Sequence, residues 1–393
     1  MRILVLNCGS SSAKFAVFEA TTGQELANGL AQRLGSPQAS LAWKHPGGVG
    51  EEPLPGAHHA AALRAVVQVL TELGLTQGLA GIGHRVVNGG AKMTTSAIVT
   101  REVEQIISDC VAISPLHNPP NMVGIRLAQE LFPGLPQVAV FDTAFHQTMP
   151  EVAWRYPVPR EWDAYGVRRY GFHGTSHRFV SQEAHRRLGA GARRLVTAHL
   201  GNGCSACAIL EGRSLDTTMG LTPLEGLMMG TRSGSVDPAL VGFVAERSGL
   251  TTAEVIDALN KKSGLLGVSG ISNDLRTVMA AASAGQGDAR LAIDLFTSIL
   301  AKAIAGLAVP LGGLDALVFT GGIGENAKPI RAAVIKHLGW MGLTLDADLN
   351  DGHGKAADGR ITTDVPGPRA LVIPTNEELM IARDTAALVL PRR

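Results

Sequence analysis

The sequence predicts an α/β protein made of two similar halves, each a sheet with helices packed on it. Three observations lead there. Short apolar runs end abruptly in glycine-rich polar turns, two of these runs open similar hairpins about half a chain apart, and segments of helical periodicity alternate with them.

In order, Ile3-Leu4-Val5-Leu6 runs into Asn7-Cys8-Gly9-Ser10-Ser11-Ser12 and resumes as Lys14-Phe15-Ala16-Val17-Phe18, a strand–turn–strand pattern. Residues 61–73 place Leu63, Val66, Val67, Leu70 and Leu73 on one helical face. Gln137 to Phe141 is a strand ending in Asp142. Residues 141–174 crowd prolines, aromatics and arginines, and Pro150, Pro157 and Pro159 forbid a long helix there, so this stretch is expected to cross between domains. Leu195 to Leu200 runs into Gly201-Asn202-Gly203 and resumes through Cys207 to Leu210, which repeats the first hairpin. Residues 291–311 are helical and apolar, but Asp294, Lys302 and Pro310 make this a buried helix rather than a membrane span. Ala316 to Thr320 runs into the turn 321–326, residues 352–367 form a surface loop, and a last helix, 377–390, follows the capping pair Thr375-Asn376.

Composition narrows the function. The 393 residues carry 35 Lys+Arg against 34 Asp+Glu, a formal charge of +1, which removes the global electrostatic case for nucleic acid or an anionic membrane. At 45% hydrophobic and 18% charged residues, the chain is neither disordered nor fibrous and holds two or three domains. Cys204-x-x-Cys207 has metal or redox spacing, but no second pair or His doublet completes a site, so both read as small apolar strand residues. The N-terminal apolar run is too short for a signal-peptide core, and a cytoplasmic location is expected.

Small-residue turns after buried strands leave backbone N–H groups free to face an anion, and three in one chain point to a polyphosphate. There is neither a G-x-x-x-x-G-K-[ST] loop nor a G-x-G-x-x-G after the first strand. The loop-like stretches also hold His84-Arg85, His117, Asp142, His146, His173, His177, His199 and Arg232. Glycines flank His173 and Arg232, letting the backbone approach a ligand, and phosphoryl transfer needs fixed cations around the moving group. Asp142 reads equally as a crevice carboxylate or as a helix N-cap.

The strings LNCGSSSAKF, GHRVVNGG, SPLHNPPN, FDTAFH, YGFHGTSHRFV, HLGNG, GTRSG, FTGGIGEN and PTNEELMIARDT together resemble the acetate kinase family, in that family's order, from Asn7 to Asp384. The resemblance implies duplicated actin-like, ribonuclease H-like domains (βββαβαβα cores) with a cleft between them: residues 1–143 joined by 379–393, and residues 144–378. It implies ATP + acetate ⇌ ADP + acetyl phosphate with Mg²⁺ (Mn²⁺ able to substitute) in a homodimer, with no nucleic acid or membrane partner. Asn7 and Glu377 would hold the metal. Lys14, His199, Leu200, Gly201, Asn202, Gly203, Asp274, Leu275, Arg276, Gly322, Ile323, Gly324, Glu325 and Asn326 would contact ATP. Arg85 would bind the carboxylate, and Val87, Leu116, Phe172 and Pro223 would wall in the methyl group. His173 and Arg232 would stabilise the transition state, and Asp142 is the position that the family assigns as acid/base. Acetate is already ionised at pH 7, so a role for Asp142 in positioning Mg²⁺ or Arg85 is preferred.

Four positions depart from the family pattern: Ser235 for Asp, Asn88 for His, Leu275 for Phe and Thr277 for Asp. None of these carries a catalytic or metal role. Val87 favours acetate over propionate. The alternatives are a propionate kinase, a sugar kinase of the same superfamily, or an ATPase switch like actin or a heat-shock chaperone, which would release phosphate without forming an acyl phosphate.

Overall fold

The computed structural model describes residues 1–189 and 191–391. They form two compact units: Met1–Gln147 together with the C-terminal segment from Asn376, and Thr148–Thr375. Residues 144–147 and 376–378, assigned by sequence to the C-terminal domain, therefore belong to the first unit. Residues 392 and 393, the end of the expected C-terminal addition, lie outside the described residues.

In the first unit the strands are β1 (Arg2–Cys8), β2 (Ser12–Glu19), β3 (Glu25–Gln32), β4 (Ser40–His45), β5 (Gly48–Pro53), β6 (Leu79–Val86), β7 (Ala97–Ile98) and β8 (Gln137–Phe141). They make one sheet in the order β5-β4-β3-β2-β1-β6-β8-β7. β1 to β5 run as an antiparallel meander, while β6 lies parallel to β1 and β8 parallel to β6. β1 is apolar without alternation because both faces are covered. Leu4, Leu6 and Cys8 pack with Leu63, Val66 and Leu70 of the helix His59–Glu72, and Ile3 and Val5 pack with Ile381 of the helix Glu377–Val389. Val69, not the expected Val67, completes the buried face of the helix His59–Glu72, and Leu73 becomes its C-cap. The C-terminal helix starts where its caps predict, with the Asn376 side chain accepting from the Leu379 N–H. It lies so close on β6 that a Cβ at Gly83 would stand 2.3 Å from Thr385 Oγ1 and 2.7 Å from Ile381 Cγ2.

The second unit repeats the plan with β9 (Arg194–Leu200), β10 (Cys204–Leu210), β11 (Arg213–Thr217), β12 (Ala316–Thr320) and β13 (Arg369–Val372), in the order β11-β10-β9-β12-β13. β9 to β11 form the antiparallel meander, and β12 and β13 follow in parallel. This matches β3-β2-β1-β6-β8 strand for strand, the duplicated actin-like core expected from the sequence. The helix Gly287–Leu311 has the length and apolar composition of a membrane span, yet it packs on β9 and β10 with Phe296, Leu300, Ile304 and Leu307 buried, as a core helix does. Cys204 and Cys207 are buried in β10, three apart and so on opposite faces, and burial pushes the Cys204 thiol up to about 12.

Two expectations need correction. The segment Gly321–Asn326 is a short helix rather than a turn, entered at Gly321 with φ +75, where a Cβ would stand 2.7 Å from the Leu200 carbonyl oxygen. The stretch 352–367 is only partly loop. It holds a 3₁₀ turn at Lys355–Ala357 and bridges β13 through Arg360 and Leu371. Between residues 148 and 174 the prolines leave only the helix Glu151–Trp154 and a 3₁₀ segment, Arg160–Tyr165.

His84, expected in a loop, is buried in β6 with one ring nitrogen 2.6 Å from Gln137 Oε1, and burial lowers its pKa from 6.5 to about 4. The unfolded chain therefore binds a proton that the folded chain refuses between those values, and stability falls as pH drops from about 6.5 to about 4, by up to about 3 kcal/mol. Urea midpoints at pH 7 and 4.5 should show a steeper acid loss in the native chain than in His84→Gln.

Candidate active site

In the first unit the polar groups gather at the carboxyl ends of β1, β6 and β8. Arg85 and Asp142 come from strands that pair directly, β6 and the end of β8. The Arg85 Nε donates to Asp142 Oδ1 and Oδ2 at 3.2 and 3.1 Å, and Nη2 donates to Oδ2 at 2.6 Å. Asp142 is fully buried and Arg85 23% exposed; the carboxylate holds the guanidinium through Nε and Nη2, and Nη1 has no hydrogen-bond partner among the described residues. Burial disfavours the Arg85 charge, but Asp142 and then Glu377 outweigh it and raise the pKa. Of the two readings open for Asp142 from sequence, the helix cap finds no support: its carboxylate is spent on Arg85.

Glu377 opens the C-terminal helix beside this pair. Its Oε1 is shielded from solvent and has no hydrogen-bond partner among the described residues, and burial, only partly countered by Arg85, pushes its pKa up to about 7. A shielded, unpartnered carboxylate oxygen fits a cation. Asn7, one residue before the end of β1, stands opposite Lys14 in the register, and Lys14 Nζ lies 3.5 Å from Glu378. Val87 is buried just past β6, its N–H bonded to Asn121 Oδ1 at 3.1 Å, whereas Leu116 is 59% exposed in its own unit.

In the second unit His173 caps the helix Gly174–Leu188 in the left-handed region at φ +55, an unfavourable conformation for a residue with a Cβ and one that recurs at functional positions. Its ring stacks on His199 with centroids 4.3 Å apart, and Nδ1 lies 2.9 Å from Ser205 Oγ. His199 Nδ1 lies 2.8 Å from Ser176 Oγ, which also meets Thr375 Oγ1 at 2.8 Å. Arg232 is half-buried, and burial lowers its pKa. Its Nη1 reaches only the Pro223 carbonyl at 3.4 Å and Met229 Sδ at 3.9 Å, with no carboxylate among the described residues. A desolvated guanidinium without an acid is a ready partner for an anion. A Cβ at Gly203 would stand 3.5 Å from Arg232 Nη1 and 3.7 Å from His173 Nε2, so both groups flank one glycine. Phe172 is buried beside them in sequence, and Pro223 is half-buried.

A cavity of about 760 Å³ in the same unit is lined by Gly201, Asn202, Asp274, Leu275, Arg276, Gly322, Ile323 and Asn326, all expected at a nucleotide. Leu200 and Gly324 are buried beneath it, and Glu325 is structural: its Oε1 accepts from the N–H groups of Gly321 and Thr375. Asp274 caps the helix Leu275–Ser283 and pairs with its neighbour Arg276 at 2.6 Å. Asn273, Met279, Ala327, Lys328 and Pro329 also line the cavity and were not singled out from sequence. Asn273 donates to Asn202 Oδ1 at 2.9 Å; its place next to the expected nucleotide contacts Asp274 to Arg276 was the available signal. Five residues expected in loops lie elsewhere: His84 and Arg85 in β6, His199 in β9, His177 on the helix Gly174–Leu188 and His146 in the 3₁₀ segment Ala144–Thr148.

The Acetokinase family profile matches residues 2–383. The chain belongs to the acetokinase family. It is 52% identical to the acetate kinase of Deinococcus radiodurans, over 99% of this chain and 98% of the relative. It is also 52% identical to acetate kinase 1 of Neisseria meningitidis serogroup B, over 98% of each. Among solved structures it superposes on a propionate kinase from Francisella tularensis (TM-score 0.94, 42% identity, 99% of this chain and 100% of that one). A second match is the acetate kinase of Porphyromonas gingivalis (TM-score 0.91, 42% identity, 98% and 99%).

Removing Asp142 leaves Arg85 without its counter-charge. Asp142→Ala should cost about 2 kcal/mol in urea unfolding, below the ~3–5 typical of a fully buried pair because Arg85 keeps some exposure. An unchanged midpoint would show that Asp142 does not hold Arg85.

Proposed function

We propose that the protein transfers the γ-phosphoryl group of ATP to acetate, reversibly, giving ADP and acetyl phosphate by direct in-line displacement. The observation that carries the reading is Arg85: a guanidinium oriented on one edge by buried Asp142, with Nη1 left open for a small carboxylate. The nucleotide belongs in the 760 Å³ cavity of the second unit. There the N–H groups around Gly201 and Gly322, and the groups on Asn202 and Lys328, suit phosphates and ribose.

Acetate arrives ionised and needs no base, so Asp142 acts as the positioning group for Arg85. His173 and Arg232, flanking Gly203, meet the charge that spreads over the equatorial phosphoryl oxygens in flight. Glu377 and Asn7 would hold Mg²⁺ with water completing its shell, and the ion would neutralise charge on the phosphates. The shielded Glu377 Oε1 supports that assignment. Val87 closes the methyl end of the acid site by motif position. One methylene is worth only about 1–3 kcal/mol, so propionate should be a secondary substrate. The superposition on a propionate kinase keeps propionate as the second reading.

A cytoplasmic location, where ATP is abundant, and a homodimer belong to the same reading. The helix Ala239–Ser248 buries none of its residues and carries Phe243 at 55% exposure, which a second copy would cover. Phe243→Asp should shift the sedimentation coefficient from dimer to monomer; a native chain sedimenting as monomer would exclude this assembly.

Hydroxylamine trapping with MgATP should yield strong hydroxamate from acetate, less from propionate and none from glycerol. Propionate ahead of acetate would favour the second reading. ATP turnover without any hydroxamate would leave an ATPase switch. Arg85→Ala should chiefly raise the acetate KM, and Arg232→Ala should chiefly lower kcat, by about 10²–10³-fold. Equal losses of both parameters in both variants would contradict this division of roles.

A further inference from the structure

Beneath His173 runs a buried chain of side chains that the proposed reaction does not itself touch. Ser205 Oγ lies 2.9 Å from His173 Nδ1 and 2.8 Å from His177 Nε2, and His177 Nδ1 lies 2.7 Å from Thr197 Oγ1. Thr197, His177 and Ser205 are fully buried. They come from β9, the helix Gly174–Leu188 and β10, so the chain is fixed by the sheet and the helix packed on it.

A hydroxyl has one proton, so Ser205 can donate to only one of its two histidine partners and must accept from the other. Two directions are therefore open. In one, the Thr197 hydroxyl donates to His177 Nδ1, His177 Nε2–H donates to Ser205, and Ser205 donates to His173 Nδ1. In the other every bond reverses, and the Thr197 proton is left buried without an acceptor, because among the described residues His177 is the one hydrogen-bond partner of that hydroxyl. An unmade buried hydrogen bond costs about 1–3 kcal/mol, which decides for the first direction. Nδ1 of His173 is then an acceptor, and the ring proton sits on Nε2, the nitrogen that flanks Gly203 together with Arg232.

We propose that Ser205 is a positioning residue: with His177 and Thr197 behind it, it holds His173 as the Nε2–H tautomer. Resting on the phosphoryl-transfer reading, this gives the moving group a donor from a neutral ring, with no second cation forced beside Arg232.

Long-range ¹H–¹⁵N spectra of ¹⁵N-histidine-labelled protein test the proposal, with the His173 signals assigned by their loss in His173→Asn. The native chain should show the Nε2–H pattern at His173. Ser205→Ala should turn it into a mixture of tautomers and lower kcat about 10-fold. The KM values for ATP and acetate should stay within about two-fold, because neither substrate touches Ser205. Thr197→Val, nearly isosteric and two side chains further back, should move the tautomer in the same direction and serves if Ser205→Ala does not fold. A native Nδ1–H tautomer, or a His173 signal unchanged in both variants, would overturn the proposal, and a merely structural Ser205 would lower stability while leaving the tautomer alone. If the native chain makes no hydroxamate, the reaction assignment fails while the spectra still report on the chain.

Discussion

In each unit a meander's first strand accepts, side by side and in parallel, a strand arriving from much later in the chain: β6 against β1, with His84 opposite Leu6, and β12 against β9, with Thr320 opposite His199. Parallel pairing brings the carboxyl ends of those strands to one edge, where Arg85, Asp142, His199 and Gly321 lie. Arg85 leaves β6 next to Asp142 at the end of β8. Gly321 begins its short helix against the Leu200 carbonyl, close enough that no side chain fits.

Stability is traded at these edges rather than gained. Arg232 is partly desolvated without a counter-ion, Glu377 carries a shielded oxygen without a partner, and His173 is held in a left-handed conformation. Each is unfavourable in the free protein, and the first two are relieved by a ligand of opposite charge. Arg85 shows the complementary device. Asp142 satisfies one edge of the guanidinium, so its orientation is fixed in the free protein, as the proposed role in binding a carboxylate requires.

The hairpins were legible in the sequence because a strand with both faces buried reads as an apolar run, and a tight turn needs small residues. The C-terminal helix was legible through Asn376. Gly321–Asn326 was not, because six residues with three glycines look like a turn, and only the strand pairing that fixes Gly321 against Leu200 makes them a helix. Val67 and Val69 could not be told apart by periodicity, since the position of the sheet decides which side of the stripe is covered. Among site residues, the motif strings singled out Arg85, Asp142, His173, Arg232 and Glu377. They could not reveal that Asp142 grips Arg85, or that Ser205 joins two histidines, because sequence carries no distances.

The chemistry asks little of the side chains as acids or bases. The acceptor is already an anion and the donor a polyphosphate, so bringing them together means overcoming repulsion between like charges. Cationic and hydrogen-bonding groups that are in place beforehand serve that end better than groups that must titrate, because nothing need reorganise as charge moves. Arg85 and Arg232 are suited to this as guanidinium groups that keep their proton, one braced by a carboxylate and the other left unpaired for an incoming anion. A histidine beside Arg232 contributes most as a neutral donor of fixed direction, and the direction of the hydrogen-bonded chain from Thr197 through His177 and Ser205 provides that.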